Sequence, residues 1–450
     1  MSKPLKPVTE RAVRERAGRV AIDAETPVAT GRYSAAILEL CAEILAEVGR
    51  FARPADMELS AFFREHREAG QQDRALIAET VYAALRRWRL MQAIAPNSGF
   101  KRLVLAVWAT QFRVNLRELE NCGLKRGDSE WLAEVKGAAS LPQPYEVDAD
   151  LPDWVIAELR KRFDDEALLR HAKGFQQSGP LDLRVNLMRV TRDQVLERLN
   201  ADGFRGVATP YSPAGIRMQG KPSINRHPLF LSGDIEVQDE GSQLLAWLVD
   251  PRRGEMVVDY CAGAGGKTLA LGALMKSTGR LYAFDVSAKR LENLRPRLAR
   301  SGLSNVHPQR LERGRDPHVK RLAGKIDRVL IDAPCSGLGT LRRNPDLKCR
   351  QTAEAVDELV MKQSGILDDA ARLVKPGGRL VYATCSIIAR ENQGVVNAFL
   401  ERSPEFRLVP AHEVLAAQRI AIQCGDYLEL WPDEHGTDGF FAAIMEKRVS

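Results

Sequence analysis

Two cysteines are set apart by their neighbours. Asp332-Ala333-Pro334-Cys335-Ser336-Gly337 and Thr384-Cys385-Ser386 each place a thiol directly before a serine. A lone free cysteine usually ends as a small buried hydrophobe. These two each follow a short apolar run that reads as a strand, and open α/β sheets bind ligands at the C-terminal ends of their strands. A thiolate there is a nucleophile. Cytosine C5 is a substrate atom that needs one, because C5 alone is too weak to attack a methylsulfonium. Thiolate addition at C6 turns the ring into an enamine-like nucleophile at C5. C5 then takes the methyl group, its proton leaves, and the thiol is eliminated. The scheme needs an attacking cysteine, a group at the N3/N4 edge of the base, and help with release. Asp332 can meet the base edge. The residues alone leave open which cysteine attacks.

A second cluster could hold the methyl donor. Cys261-Ala262-Gly263-Ala264-Gly265-Gly266-Lys267-Thr268 follows another apolar run and leads into a helical stretch. Its glycines permit a tight turn and a close backbone approach to a ligand. A P-loop would need its first glycine at position 261, which is Cys. A nucleoside-binding turn fits better, because Asp285 ends the next strand and can hold ribose hydroxyls. No full GxGxxG is present, which favours S-adenosylmethionine over a nicotinamide cofactor.

Both clusters need a sheet to carry them. From Gly254 onward, short apolar runs alternate with helical stretches. Strands are expected at 256–259, 280–285, 328–332, 379–384 and 439–445, and helices at 267–275, 287–300 and 352–373. Such alternation means a doubly wound α/β fold. Upstream, residues 32–139 carry helical periodicity. The helix expected over 77–91 holds Arg86, Arg87 and Arg89, which read either as a solvated face or as phosphate contacts. Leu141-Pro142-Gln143-Pro144 marks a linker, and 181–186 alternates like a half-buried strand before a helix at 192–199. The chain thus divides into a flexible basic arm (1–30), a helical domain (31–145), a small α/β module (146–235) and the sheet domain (236–450).

Composition narrows the function class. The 66 Lys and Arg against 59 Asp and Glu give a net charge of +7, which suits a polyanion partner without requiring one. Seven cysteines with no CxxC pair argue against structural zinc and against a disulfide framework. A reducing cytoplasm is the expected compartment. The charged N-terminus lacks an apolar signal core, and no apolar run is long enough for a bilayer.

The motifs together resemble the RsmB-type (Sun/Fmu) RNA cytosine-C5 methyltransferases. The resemblance rests on the loop 261–268, on Asp332 to Gly337 and on Thr384 to Ser386. It extends to Arg342-Arg343-Asn344-Pro345-Asp346-Leu347-Lys348, to Val237-Gln238-Asp239-Glu240-Gly241-Ser242-Gln243 and to Asp438-Gly439-Phe440-Phe441. It covers about 230–445. More weakly, 32–140 is similar to the family's NusB-like helical domain, and 181–199 to its small RNA-binding module. The resemblance implies a Rossmann-like methyltransferase domain preceded by those two units. It implies Cys385 as nucleophile and Cys335 as the group that assists release, whereas DNA cytosine methyltransferases attack with a Pro-Cys cysteine. It implies S-adenosylmethionine held by residues 261–267, Asp285 and Asp332. The family's acidic residue after the third strand is not matched cleanly, and Glu312 or Asp316 would substitute. Cys349 stands where Trp is common. The implied substrate is RNA, with 16S ribosomal RNA ahead of transfer RNA because of the helical domain, and a non-catalytic assembly factor is the rival from another class. The target base must leave its stack, and Arg343 and Lys348 are candidates to hold phosphates beside it. A monomer without metal or membrane attachment is expected.

Overall fold

Short apolar runs and amphipathic helices alternate after Gly254, and they fold as a doubly wound sheet in the computed structural model, which describes residues 33–125, 127–312 and 316–449. The arm expected over 1–30 lies outside the described residues. Four short strands come first: β1 (Asp182–Val185), β2 (Gly206–Ala208), β3 (Gly215–Met218) and β4 (Ile235–Val237). They form an antiparallel sheet in the order β2-β3-β1-β4. The helix Arg192–Ala201 accompanies them and opens on a capping box between Thr191 and Gln194.

The larger sheet holds β5 (Met256–Asp259), β6 (Arg280–Asp285), β7 (Val306–Arg310), β8 (Ile326–Asp332), β9 (Val374–Thr384), β10 (Phe406–Val409), β11 (Leu428–Leu430) and β12 (Phe440–Lys447). Its order is β10-β12-β9-β8-β5-β6-β7, with β11 also on β12. Strands β5 to β9 run parallel, and β12 lies antiparallel to β9. Strand order reverses between β5 and β8, and a crevice opens at such a point. The central strands are covered on both faces, so Val329 to Ile331 and Leu380 to Ala383 are all buried.

Residues 33–140 form an all-helical domain around Trp108, which is fully buried. Its indole N–H donates to Thr80 Oγ1 at 2.9 Å, as a buried Trp requires. Three further helices, Tyr145–Ala149, Asp153–Leu159 and Asp165–Phe175, pack into the sheet domain. They share a core with Leu338, Leu341, Ile387, Ile388 and Trp431. Those partners lie on the chain just after Cys335, just after Cys385 and just before β12. Among the described residues, no helix is long and apolar enough to cross a membrane.

Two readings of the basic residues need correction. Arg86 is buried and donates to Glu79, to Ser178 Oγ and to the carbonyl of Arg342. Arg87 bonds Gln176, and Arg89 bonds Asp153 and the carbonyl of Leu151. These three join the helical domain to the segments behind it; they are neither a solvated face nor an open phosphate site. Lys348 is likewise buried, with its ammonium 2.6 Å from Asp150 Oδ1 and 3.0 Å from the Arg86 carbonyl. Arg343 is held by Asp438 at 2.5 Å and Asp239 at 2.9 Å. The sequence signalled the charges, but their partners lie far away along the chain.

Asp150 is the hub of this junction. Its side chain is fully buried and also accepts the backbone N–H groups of Arg89 and Leu90. Asp150→Ala would leave Lys348 charged and unpaired in the interior. It is expected to cost about 3–5 kcal/mol, read as a lower urea midpoint. An unchanged midpoint would show that the junction carries little energy.

Candidate active site

The crevice between β5 and β8 opens as a cleft of about 1180 Å³. Residues 261–264, Gly266, Lys267, Asp285, Asp332, Cys335 and Cys385 all line it. The chain turns at Gly263 and Gly265, with φ of +55° and +85°, values that favour glycine. A Cβ on Gly263 would meet nothing within 4 Å, whereas one on Gly265 would lie 2.1 Å from Leu294 Cδ1. Gly263 therefore faces open space, and Gly265 packs against the helix Ala288–Ser301. Asp285 fixes this turn: Oδ2 accepts from the Gly263 amide at 2.9 Å and Oδ1 from the Ser287 amide at 2.7 Å. Each oxygen keeps a lone pair for a ligand hydroxyl.

At the other end of the cleft, the Cys335 and Cys385 sulfurs lie 3.4 Å apart. The hydrogen bond with Cys385, then burial, push the Cys335 thiol well above its ordinary value. Burial does the same to Cys261, which leaves that thiol a poor nucleophile despite its place in the wall. Lys267 Nζ is 2.7 Å from Asp332 Oδ2. Burial alone would lower the Lys267 ammonium, but the Asp332 carboxylate overrides it, with a smaller contribution from Cys385, and its value rises. A firmly charged cation thus stands at the cysteine end. Asp259, at the end of β5, is pushed up to about 7 by burial, although it accepts the Thr268 hydroxyl at 2.7 Å.

The small sheet reaches this cleft from behind. Buried Arg184, on β1, donates to the Gly266 carbonyl and to Gln238. Glu236, on β4, pairs with Arg297 at 2.9 Å and Arg300 at 2.5 Å, and Arg297 also donates to the Ala264 carbonyl at 2.7 Å. The cleft wall therefore includes Gln238, Ser242, Arg290, Arg297 and Lys362, none of which was singled out from sequence as a site residue. The motif stretch 237–243 could have flagged the first two; nothing in the local sequence marks Lys362. Glu312 is not in the wall. It is exposed, and with Val286 and Leu311 it lines a neighbouring depression. The Asp316 carboxylate accepts the Glu312 amide at 2.8 Å. Cys349 is exposed and lines a separate hollow with Trp88 and Trp154.

The family model for the 16S rRNA methyltransferase RsmB/F matches residues 246–446, and the RsmF/B-like ferredoxin-like domain matches 151–225. The probable ribosomal RNA small subunit methyltransferase B of Synechocystis sp. is 34% identical over 299 residues, which is 66% of this chain and 66% of that protein. The chain thus spans just under two thirds of that relative's length. Ribosomal RNA small subunit methyltransferase B of Shewanella oneidensis is 32% identical over 305 residues, covering 66% of this chain and 67% of that one. The chain belongs to the RsmB/F methyltransferase family. The crystal structure of PH0851 superposes with a TM-score of 0.73 at 26% identity, over 94% of this chain and all of that one. The likeness to that structure therefore takes in the helical N-terminal domain as well as the sheet domain.

S-adenosylmethionine is the cofactor of this RsmB/F chain, and the cleft fits it. The open face at Gly263 has room for a nucleoside against the backbone, Asp285 would offer acceptors to a diol, and Asp332 stands beside Lys267 toward the cysteines. Asp285→Ala removes both the acceptors and the clasp on the Gly263 amide. It is expected to weaken S-adenosylmethionine binding by about 1–3 kcal/mol, measured by titration calorimetry. Wild-type affinity in that variant would place the ribose contact elsewhere.

Proposed function

We propose that this chain methylates C5 of a cytosine in small-subunit ribosomal RNA through a covalent bond between Cys385 and C6 of the base. The observation that carries the reading is the pair of sulfurs 3.4 Å apart at the inner end of the cofactor cleft. Two thiols at that separation can meet the same face of one ring. Its relatives named above act on ribosomal RNA of the small subunit, which supports the choice of substrate.

S-adenosylmethionine supplies an electrophilic methyl group for C5. The chain's own residues supply the rest. The Cys385 sulfur bonds to C6, and the electron pair of the C5–C6 double bond moves toward C5. The Lys267 ammonium lies at the cysteine end of the cleft, within Coulombic reach of Cys385. Asp332 holds Lys267 there and can accept the N4 amino group of the base. After methylation the C5–H bond breaks, its electron pair restores the C5–C6 double bond, and the C6–sulfur bond breaks; Cys335 gives its proton to the departing Cys385 sulfur and takes the C5 proton in exchange. Cys335 assists at that point, because its protonated thiol lies against the sulfur that departs. Residues 261–267 and Asp285 hold the cofactor in this scheme, whereas Glu312 lines only the neighbouring depression and is assigned no contact with it.

The order of covalent steps separates the two cysteines. Cys385→Ala leaves no covalent route, and methylation should vanish. Cys335→Ala should still attack and methylate, then stall on product RNA, which gives a slow-migrating adduct on a denaturing gel. The double mutant should give none. An adduct from Cys385→Ala, with none from Cys335→Ala, would reverse the roles. Full activity in both variants would remove the cysteine mechanism.

A further inference from the structure

We infer that Glu391 is the positioning residue of this site: one buried carboxylate ties together the serines that follow the two cysteines, and so sets the cysteines against each other. The inference rests on the roles proposed above for Cys335 and Cys385. Glu391 lies six residues after Cys385 and is 0% exposed. Its Oε2 accepts the hydroxyl of Ser336 at 2.5 Å and the hydroxyl of Ser386. Its Oε1 accepts the Ser336 amide at 2.8 Å and Gln363 Nε2 at 3.0 Å. The four donors are all neutral. They fill the lone pairs of the carboxylate, which is the condition for keeping such a group in the interior.

The two serines come from different loops. Ser336 follows Cys335 at the end of β8, and Ser386 follows Cys385 at the end of β9. Their hydroxyl oxygens are 3.1 Å apart, close to the 3.4 Å between the two sulfurs. Both hydroxyls converge on one oxygen atom, so that atom fixes the spacing of the loops. Further bonds hold the backbone around the carboxylate. The Tyr382 hydroxyl donates to the Glu391 carbonyl at 2.6 Å, and Gln363 Nε2 also donates to the Pro334 carbonyl at 2.9 Å. The Asn392 side chain donates to the Ser386 carbonyl at 2.9 Å. A loop that only had to stay folded would be served as well by apolar packing. A buried carboxylate whose two oxygens are met by four donors instead selects one geometry. The Glu391 charge also adds to the rise of the Cys335 thiol, after the hydrogen bond with Cys385 and burial.

The test compares Glu391→Gln with wild type in methyl transfer to RNA. The amide keeps the shape but leaves one acceptor oxygen for groups that now share two. Because a misplacement of about 1 Å can cost about 100-fold in rate, kcat should fall by about that factor. KM for RNA and for S-adenosylmethionine should stay within about twofold, and the thermal midpoint should hold. In a Cys335→Ala background the same change should slow adduct formation in parallel. Wild-type kcat in a folded Glu391→Gln protein would overturn the inference. So would a loss of activity matched by a loss of cofactor affinity. Should Glu391→Gln not fold, Ser336→Ala and Ser386→Ala carry the test: each should lower kcat by about tenfold, and wild-type kcat in both would overturn the inference. Cys385→Ala, run alongside, separates this claim from the one beneath it. An active Cys385→Ala would sink the role proposed for Cys385, whereas an inactive one beside a fully active Glu391→Gln would sink only the role of Glu391.

Discussion

Parallel pairing of β8 with β9 lays Asp332 beside Ala383 and continues for one more bond, from the Ala333 amide to the Ala383 carbonyl at 2.8 Å. Both chains therefore leave the sheet at the same level. The loops they enter are then locked: the Gly339 amide donates to the Cys385 carbonyl at 2.8 Å, and the Gly439 amide to the Gly339 carbonyl at 2.7 Å. A Cβ at Gly339 would lie 2.1 Å from the Gly439 carbonyl oxygen, so this approach needs a glycine. One register thus fixes where two distant cysteines meet. A slip of one residue would turn the side chains at these strand ends to the opposite face.

The remaining domains brace that arrangement. The small antiparallel sheet sends Arg184 to the Gly266 carbonyl, and through Glu236 it steadies Arg297, which reaches Ala264. The helices Asp153–Leu159 and Asp165–Phe175 pack on Leu338 and Ile387, just beyond the two cysteines. The helical domain is joined through Asp150 and Lys348 to the loop that follows Cys335. Arg184, Arg297 and Lys348 are engaged in these internal ties, so a basic residue in this chain is not by itself a phosphate contact.

The catalytic sheet was legible because its central strands are unbroken apolar runs between helical stretches. Strand β6 has its expected bounds, and the helix expected over 267–275 spans Gly266–Leu274. Strands β2, β4 and β11 have three residues each, too few for a period-two pattern, and the sequence did not show them. The glycine loop and both cysteines stood out because their chemistry is local. Lys348 and Arg343 were misread because the acids that neutralise them, Asp150 and Asp239, are 198 and 104 positions away. Glu391 was missed for a related reason: only the folded chain shows that the two serines converge on it. A charged residue has its meaning set by its partner, and spacing along the chain does not reveal a partner from another element.

The central claim is that Cys385, and not Cys335, bonds to the target base. RNA carrying 5-fluorocytosine at the modified position offers a direct test with the unaltered protein, because fluorine at C5 blocks the loss that precedes release. The enzyme should be caught as a covalent complex when S-adenosylmethionine is supplied. After digestion with nuclease and protease, mass spectrometry should find a methylated fluorocytosine on the peptide that contains Cys385. The same adduct on the peptide that contains Cys335 would contradict the account, as would efficient methylation of ordinary RNA with no covalent complex on the fluorinated one.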